Sequence, residues 1–247
     1  EWESEGVPGS GWSVCQGFCY CVLDPTGKMT KRVNAPVREK GARKAKTPAP
    51  TISKAQADEL AMKFTNMAKK QDQAITSVAK RLAAESGTEL HGLNYRIKTP
   101  RSTSRKILKN NIDDGVSYSK VAKEDLRDLN RYTYILDEAK YLDEFTEIMA
   151  GFEAEGYEIV NVKNYWSGDL YKGLNVNLRA LDGRLIEFQF NTKRSQFIKD
   201  KFSHEWYEEL RDVLTTAARK SELKKLLTNK WLEIDLPVGH ATISGLP

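Results

Sequence analysis

The stretch Arg96-Ile97-Lys98-Thr99-Pro100-Arg101-Ser102, with Lys106 a turn further on, gathers cations and a hydroxyl at a spacing that suits a polyphosphate. If residues 93–98 form a strand, Arg96 and Lys98 share one face. Ser102 and Lys106, four apart on a following helix, share a face as well. Should the two faces meet at the helix N-terminus, charge and hydrogen-bond donors converge on one point. On spacing alone, basic residues at a strand edge read equally well as a solvated face.

Two carboxylates stand out next. Asp128 shortly precedes Arg131-Tyr132-Thr133-Tyr134-Ile135-Leu136, and Glu187 sits in Ile186-Glu187-Phe188-Gln189-Phe190-Asn191. In the second run Glu187, Gln189 and Asn191 share one strand face, and Ile186, Phe188 and Phe190 share the other. With Asp128 close to Glu187, the pair can bind Mg²⁺ or Mn²⁺, which bridges phosphate oxygens and neutralises charge in a transition state. Ahead of them, Tyr171-Lys172-Gly173-Leu174-Asn175 opens another strand, where Tyr171 offers a ring to a base or simply packs at a rim. His204, Tyr207 and Arg211 recur at helical spacing, as a functional polar stripe or a solvent face. The alternate stripe Ile198, Phe202, Trp206, Leu210 and Val213 reads as core.

The elements that must position these groups follow from periodicity. Ser53 and Gln56 form a capping box ahead of Ala57, Leu60, Ala61, Phe64, Met67, Ala68, Ile75, Val78, Ala79 and Leu82. That spacing predicts one long helix, or two stacked ones, to about residue 86. A strand over 93–98, a helix over 102–110, a strand over 131–136, a helix over 137–155 and a strand over 158–165 come next. Residues 174–181 and 185–191 flank Asp182-Gly183, a two-residue hairpin signal. One last helix is expected from Thr192 into the 220s. This order predicts an α+β domain with a mixed sheet of about five strands flanked by helices.

Composition bounds the rest. With 247 residues, 40% of them hydrophobic and 30% charged, the chain can bury a core in water. No apolar run approaches the roughly 18–20 residues of a membrane span, so no membrane partner is expected. Glu1 to Ser4 lack the features of a signal peptide, and without an initiator Met the chain reads as a piece of something longer. The net charge of +5 favours anionic partners such as nucleotides or RNA. Residues 31–50, proline-containing and basic, read as a linker between a Cys- and Gly-rich segment (1–30) and the main domain (51–247). Cys15, Cys19 and Cys21 offer three thiolates to zinc, or pack as small residues in a hairpin.

In order and spacing these motifs resemble the RelA/SpoT synthetase family. Arg96-x-Lys98-x3-Ser102-x3-Lys106 matches its first motif, and Asp128-Leu129 resembles its metal-binding Asp-Leu. Tyr171-Lys172-Gly173-Leu174-Asn175 resembles Gly-Tyr-x-Ser-Leu-His, and Glu187-x-Gln189-x-Asn191-Thr192 resembles Glu-x-Gln-x-Arg-Thr. The likeness covers about residues 50–215, and its tail is similar to toxin and phage members. The Cys-rich opening resembles the end of Mu F-like phage head-morphogenesis proteins.

The resemblance implies a nucleotidyltransferase-like synthetase fold and an enzyme that moves pyrophosphate from ATP to the ribose hydroxyl of a purine nucleotide, giving (p)ppApp or (p)ppGpp. It implies Arg96, Lys98, Ser102 and Lys106 for ATP. It implies Asp128 and Glu187 for catalysis and metal, and Tyr171, Lys172, Asn175 and Gln189 for the acceptor. Such a protein would act in a bacterial cytoplasm, as a toxin delivered by secretion or a virion, with an immunity protein as a partner. Pyrophosphorylation of a tRNA 3′ end and a silent phage structural or binding module are the alternatives. Asn175, Asn191 and Thr133 depart from the family's His, Arg and Arg, which leaves the acceptor half less furnished than the ATP half.

Overall fold

The computed structural model describes residues 21–23, 29–31, 52–110, 117, 120–212 and 214–243, and the chain falls into two compact units, Glu1–Pro48 and Ala49–Pro247. In the first unit, β1 (Cys21–Leu23) and β2 (Met29–Lys31) pair antiparallel. Cys15, Cys19 and the basic linker lie outside the described residues, and with them the zinc expectation.

The second unit begins with α1 (Lys54–Glu85), one continuous helix of 32 residues. Its capping box is complete: Ser53 Oγ accepts from Gln56 N (3.2 Å), and Gln56 Oε1 accepts from Ser53 N (2.9 Å). Gly87, at φ +68, takes the left-handed conformation just past its end. The expected stripe is buried, except that Val78 is partly buried and Met67 is exposed.

Next come β3 (Glu89–His91), α2 (Pro100–Asn110), β4 (Arg131–Leu136), α3 (Tyr141–Ala154), β5 (Glu158–Asn164), β6 (Leu174–Arg179) and β7 (Leu185–Thr192). The strand expected over 93–98 is not formed. Gly92 at φ +66 turns the chain into a 3₁₀ turn over Leu93–Tyr95, and only Ile97 makes a bridge, to Asn130. The pairing strand is β3 instead. The hairpin turn occupies residues 181–183 rather than two residues, because Ala180 N still bonds Arg184 O (2.9 Å) and Gly183 at φ +81 closes the loop.

Among the described residues these strands build a five-stranded mixed sheet in the order β3-β4-β7-β6-β5. Only β4 and β7 run parallel; the other neighbours are antiparallel. The fold is α+β, as expected.

The single long helix expected after Thr192 is broken. It becomes α4 (Lys193–Ile198), a widened π turn over Lys199–Ser203, α5 (His204–Arg211) and, after a fresh N-cap at Thr216, α6 (Ala217–Leu232). Of the expected core stripe, Ile198 is buried, Phe202, Trp206 and Leu210 are partly buried against the core, and Val213 lies outside the described residues.

Two apolar clusters hold the unit together. The larger packs one sheet face, with Tyr132, Tyr134, Val176, Leu178, Phe188 and Phe190, under the C-terminal half of α1 and under α3. The smaller joins the N-terminal half of α1 to Ile107 of α2 and to Val121, Ala122, Leu126 and Leu129. Phe188 is fully buried, stacked on Tyr132 at 5.3 Å and against Phe152 at 4.5 Å. Truncating it to Ala should destabilise the domain by about 3–5 kcal/mol in urea unfolding, because neighbouring rings cannot collapse into the space. A loss below about 1 kcal/mol would show that this aromatic layer does not carry the core.

Candidate active site

The opposite sheet face is polar, and strand register writes the row. Arg131 lies across from Glu187 and Thr133 from Gln189; Asn175 lies across from Gln189 and Asn177 from Glu187. Alternation on β7 therefore sends Phe188 and Phe190 into the core and Glu187 and Gln189 to this face.

Asp128, just ahead of β4, is the hub. Lys98 Nζ reaches its Oδ2 (2.7 Å), Lys106 Nζ its Oδ1 (2.6 Å) and Arg131 Nη2 its Oδ2 (3.1 Å). Lys98 is delivered by a short antiparallel run, in which Lys98 N bonds Leu129 O (2.9 Å) and Arg131 N bonds Arg96 O (2.7 Å). Lys106 comes from α2, whose start is set by Pro100 in the first helical position and by Thr99 Oγ1 accepting from Ser102 N. Burial disfavours the Asp128 carboxylate, but Lys98 and Lys106 outweigh it and hold the group well below the usual range.

Glu187 joins through Arg131, whose Nε donates to its Oε1 (2.6 Å), and through Gln189 Nε2 (3.0 Å). Gln189 Oε1 in turn accepts from Lys199 Nζ (2.5 Å), at the start of the π turn. The ammonium of Lys199 lies 5.9 Å from the centre of the Tyr171 ring.

Some expected residues stand elsewhere. Arg96 does not share a face with Lys98. Its backbone is helical, and its guanidinium is held by Asp72 of α1 (2.7 and 2.5 Å) and the Leu93 carbonyl (2.6 Å). Ser102 is half-buried and bonded to Thr99 (3.1 Å); it lines a cavity of about 570 Å³ with Lys54, Arg101, Arg105, Leu108 and Glu208. Lys172 is buried and donates to the Trp166 carbonyl (2.9 Å), so it braces a loop instead of reaching a ligand. Asn175 Oδ1 and Asn191 Oδ1 both accept from the Tyr171 hydroxyl (3.2 and 2.7 Å). The Tyr171 ring is half-buried, edge-on to Trp231 at 5.6 Å and tilted against Tyr165 at 5.6 Å. On α5, Tyr207 is partly exposed, while the side chains of His204 and Arg211 lie outside the described part of the structure.

Sequence reasoning passed over Arg131, Asp72 and Tyr165. Arg131 is two residues before Thr133 on the same face of β4, one pleat closer to Asp128 than the family's Arg. Tyr165 is more exposed than Tyr171, at 37%, and burial together with the charge of Glu187 raises its phenol. The period-two step from 133 back to 131 was the available signal.

Asp128 and Glu187 fit a divalent cation only in part. Among the described residues no group of three or more His, Cys, Asp or Glu side chains comes together. Two nearly buried carboxylates suit Mg²⁺ when phosphate oxygens and water complete its shell.

No family model and no curated protein sequence matches the chain. Solved structures do. A chain in the complex between the Type VI effector Tas1 and its immunity protein is 20% identical, over 70% of this chain and 95% of that one, with a TM-score of 0.44. A GTP pyrophosphokinase family protein from Streptococcus pneumoniae is 15% identical over 71% and 87% of the two chains, with a TM-score of 0.46. The small alarmone synthetase 1 from Bacillus subtilis, bound to its product pppGpp, is 11% identical over 72% and 90%, with a TM-score of 0.47.

Lys199 offers a pH test of this geometry. Burial pushes its ammonium down to about 8, with Arg131 of β4 adding to the effect and Asp200 and Glu187 opposing it. The folded value lies below the ordinary 10.5, so the charge is carried at a cost below pH 8, and that cost is relieved as pH rises towards 10.5. Urea unfolding across pH 8–10.5 should show wild-type stability rising relative to Lys199→Met. Parallel profiles would mean that Lys199 stands in water.

Proposed function

We infer that residues 51–247 form a nucleotide pyrophosphokinase, which transfers the β,γ-pyrophosphate of ATP to a ribose hydroxyl of a purine nucleotide. The observation that carries this is the meeting of Lys98, Lys106, Arg131, Asp128 and Glu187 at one end of a polar sheet face. Such a buried charge cluster is costly to assemble, and a silent structural module has no use for it.

In the proposed reaction the acceptor oxygen attacks the β-phosphorus, a new P–O bond forms, and the bond from that phosphorus to the α-phosphate oxygen breaks. AMP leaves, and the hydroxyl proton passes to the Glu187 carboxylate. Lys98 and Lys106 neutralise charge on the phosphate oxygens, with Ser102 as a further donor at the start of α2. Arg96, held by Asp72, would lay its guanidinium against the adenine. Asp128 and Glu187 would hold a divalent cation, which would supply charge neutralisation on the transferred group. Catalysis then rests on positioning and electrostatics rather than on a covalent intermediate.

For the acceptor, Tyr165 and Tyr171 offer rings to the base, and Lys199 stands beside Gln189 on the same row. A diffuse RNA surface along the last helices is less supported. Arg219 is committed to Glu209 (2.8 Å) and Glu222 (3.1 Å), and Lys201 lies over the rings of Phe197 and Phe202. A free nucleotide is therefore the preferred acceptor, with an adenine or guanine base, and action as a toxin on a bacterial nucleotide pool follows from this reading.

With γ-labelled ATP, Mg²⁺ and separate pools of ADP, GDP and tRNA, label should move to a nucleotide and AMP should appear. Asp128→Asn and Glu187→Gln should each lower kcat by roughly 10²-fold or more. ADP as the product would identify an ordinary kinase, and label confined to tRNA would overturn the free-nucleotide reading. A chain beginning at residue 51 should keep turnover, since every residue named here lies beyond that point. A folded but inactive truncation would move the domain boundary.

A further inference from the structure

Arg131 lies between the two carboxylates that the proposed reaction assigns to a metal. Its Nε donates to Glu187 Oε1 at 2.6 Å and its Nη2 to Asp128 Oδ2 at 3.1 Å. One planar guanidinium thus bridges an oxygen of each acid, as a divalent cation held by the same pair would have to do. The two cannot occupy that position together.

The backbone of Arg131 is pinned by its bond to the Arg96 carbonyl (2.7 Å) and by its register against Glu187. The side chain is less confined: it is 41% exposed, against 11% for Asp128 and 15% for Glu187. Its exposed flank is the side on which an arriving phosphate would meet the guanidinium. Lys98 and Lys106 also hold Asp128, but Arg131 spans both acids; a metal arriving alone must displace that bridge and leave the guanidinium without a partner. A metal arriving with a polyphosphate brings a new anion for the guanidinium, and each charge exchanges one partner for another.

We propose that Arg131 acts as a gate on the carboxylate pair: it excludes the divalent cation from Asp128 and Glu187 until nucleotide phosphate draws the guanidinium away, and then contacts that phosphate. The inference rests on the reading of Asp128 and Glu187 as metal ligands. Arg131 thereby couples metal entry to nucleotide binding, and it frees Glu187 to receive a proton only once substrate is in place.

The test is Mn²⁺ binding to the full chain, followed by the EPR signal of free Mn²⁺, with and without α,β-methylene-ATP, with uptake counted only beyond the Mn²⁺ that the analogue binds in protein-free controls. The wild type should take up Mn²⁺ weakly alone and much more tightly with the analogue. Arg131→Lys keeps the charge but cannot bridge both acids, so it should tighten nucleotide-free Mn²⁺ binding by roughly 10-fold or more and shrink the coupling to the analogue. Arg131→Gln should do the same. Tightening by Arg131→Gln alone would reduce the effect to simple charge removal and overturn the gate, as would no tightening in either variant. Asp128→Asn separates the gate from the reading beneath it. If that change abolishes Mn²⁺ uptake with the analogue while the Arg131 variants behave as wild type, the carboxylate reading stands and the gate falls. If uptake with the analogue survives in an Asp128→Asn, Glu187→Gln double variant, both fall.

Discussion

One buried carboxylate, Asp128, holds the candidate site together. Its side chain is 11% exposed, a position no acid occupies ionised without partners. Three cations meet it from three segments: Lys98 from the turn before α2, Lys106 from α2 itself and Arg131 from β4. Each cation would repel the others without the acid, and the acid would be driven neutral without them. Leu126 and Leu129, on either side of Asp128 in sequence, are buried in the smaller apolar cluster under α1 and α2. The hub therefore joins the packing of the helices to the edge of the sheet, so disturbing that cluster would disturb the charges.

From Asp128 the row of polar groups runs along the sheet because β4 and β7 are parallel and in register. Arg131 opposite Glu187, and Thr133 opposite Gln189, are consequences of that single pairing. A slip by one residue would turn Phe188 and Phe190 to the polar side and Glu187 into the core. The stacked rings of Tyr132 with Phe188 and of Tyr134 with Phe190 oppose such a slip. Core packing on one face is thus what fixes the distances between charges on the other.

What was legible in the sequence was local. The capping box at Ser53, the alternation on β7 and the pair of strands around Gly183 each depend on neighbours a few residues apart, and each formed. The run from Leu93 to Lys98 reads as a strand, which puts Arg96 beside Lys98; the turn that begins at Gly92 sends Arg96 to Asp72 instead. The broken final helix escaped because both the apolar stripe and helix propensity continue across Lys199–Ser203, where the turn widens. Arg131, Asp72 and the placing of Lys199 depend on strand register and helix packing, which bring residues 10 to 56 positions apart into contact. Lys172 shows the reverse error: motif position placed it in the site, while the loop beside Trp166 needed its hydrogen bond.

The departures from the family's pattern are not scattered. Asn191 stands where the family has an Arg, and it is fully buried, accepting from Tyr171 and donating to Gln196 (2.6 Å). A charged side chain there would lie in a closed polar knot, so the substitution belongs with the packing of α4 against the strand end. Thr133, at the other departure, is buried against Gln189. Cations stand beside the same strand: Arg131 by Glu187 and Lys199 by Gln189. On the proposed reading, a nucleotide whose hydroxyl reaches Glu187 would meet the cations Arg131 and Lys199 beside that strand, with Tyr165 and Tyr171 beside its base. That arrangement suits a short, compact anion better than an extended one, because an RNA strand needs positive charge continued along its path, and the nearby α5–α6 surface spends Arg219 on its own carboxylates.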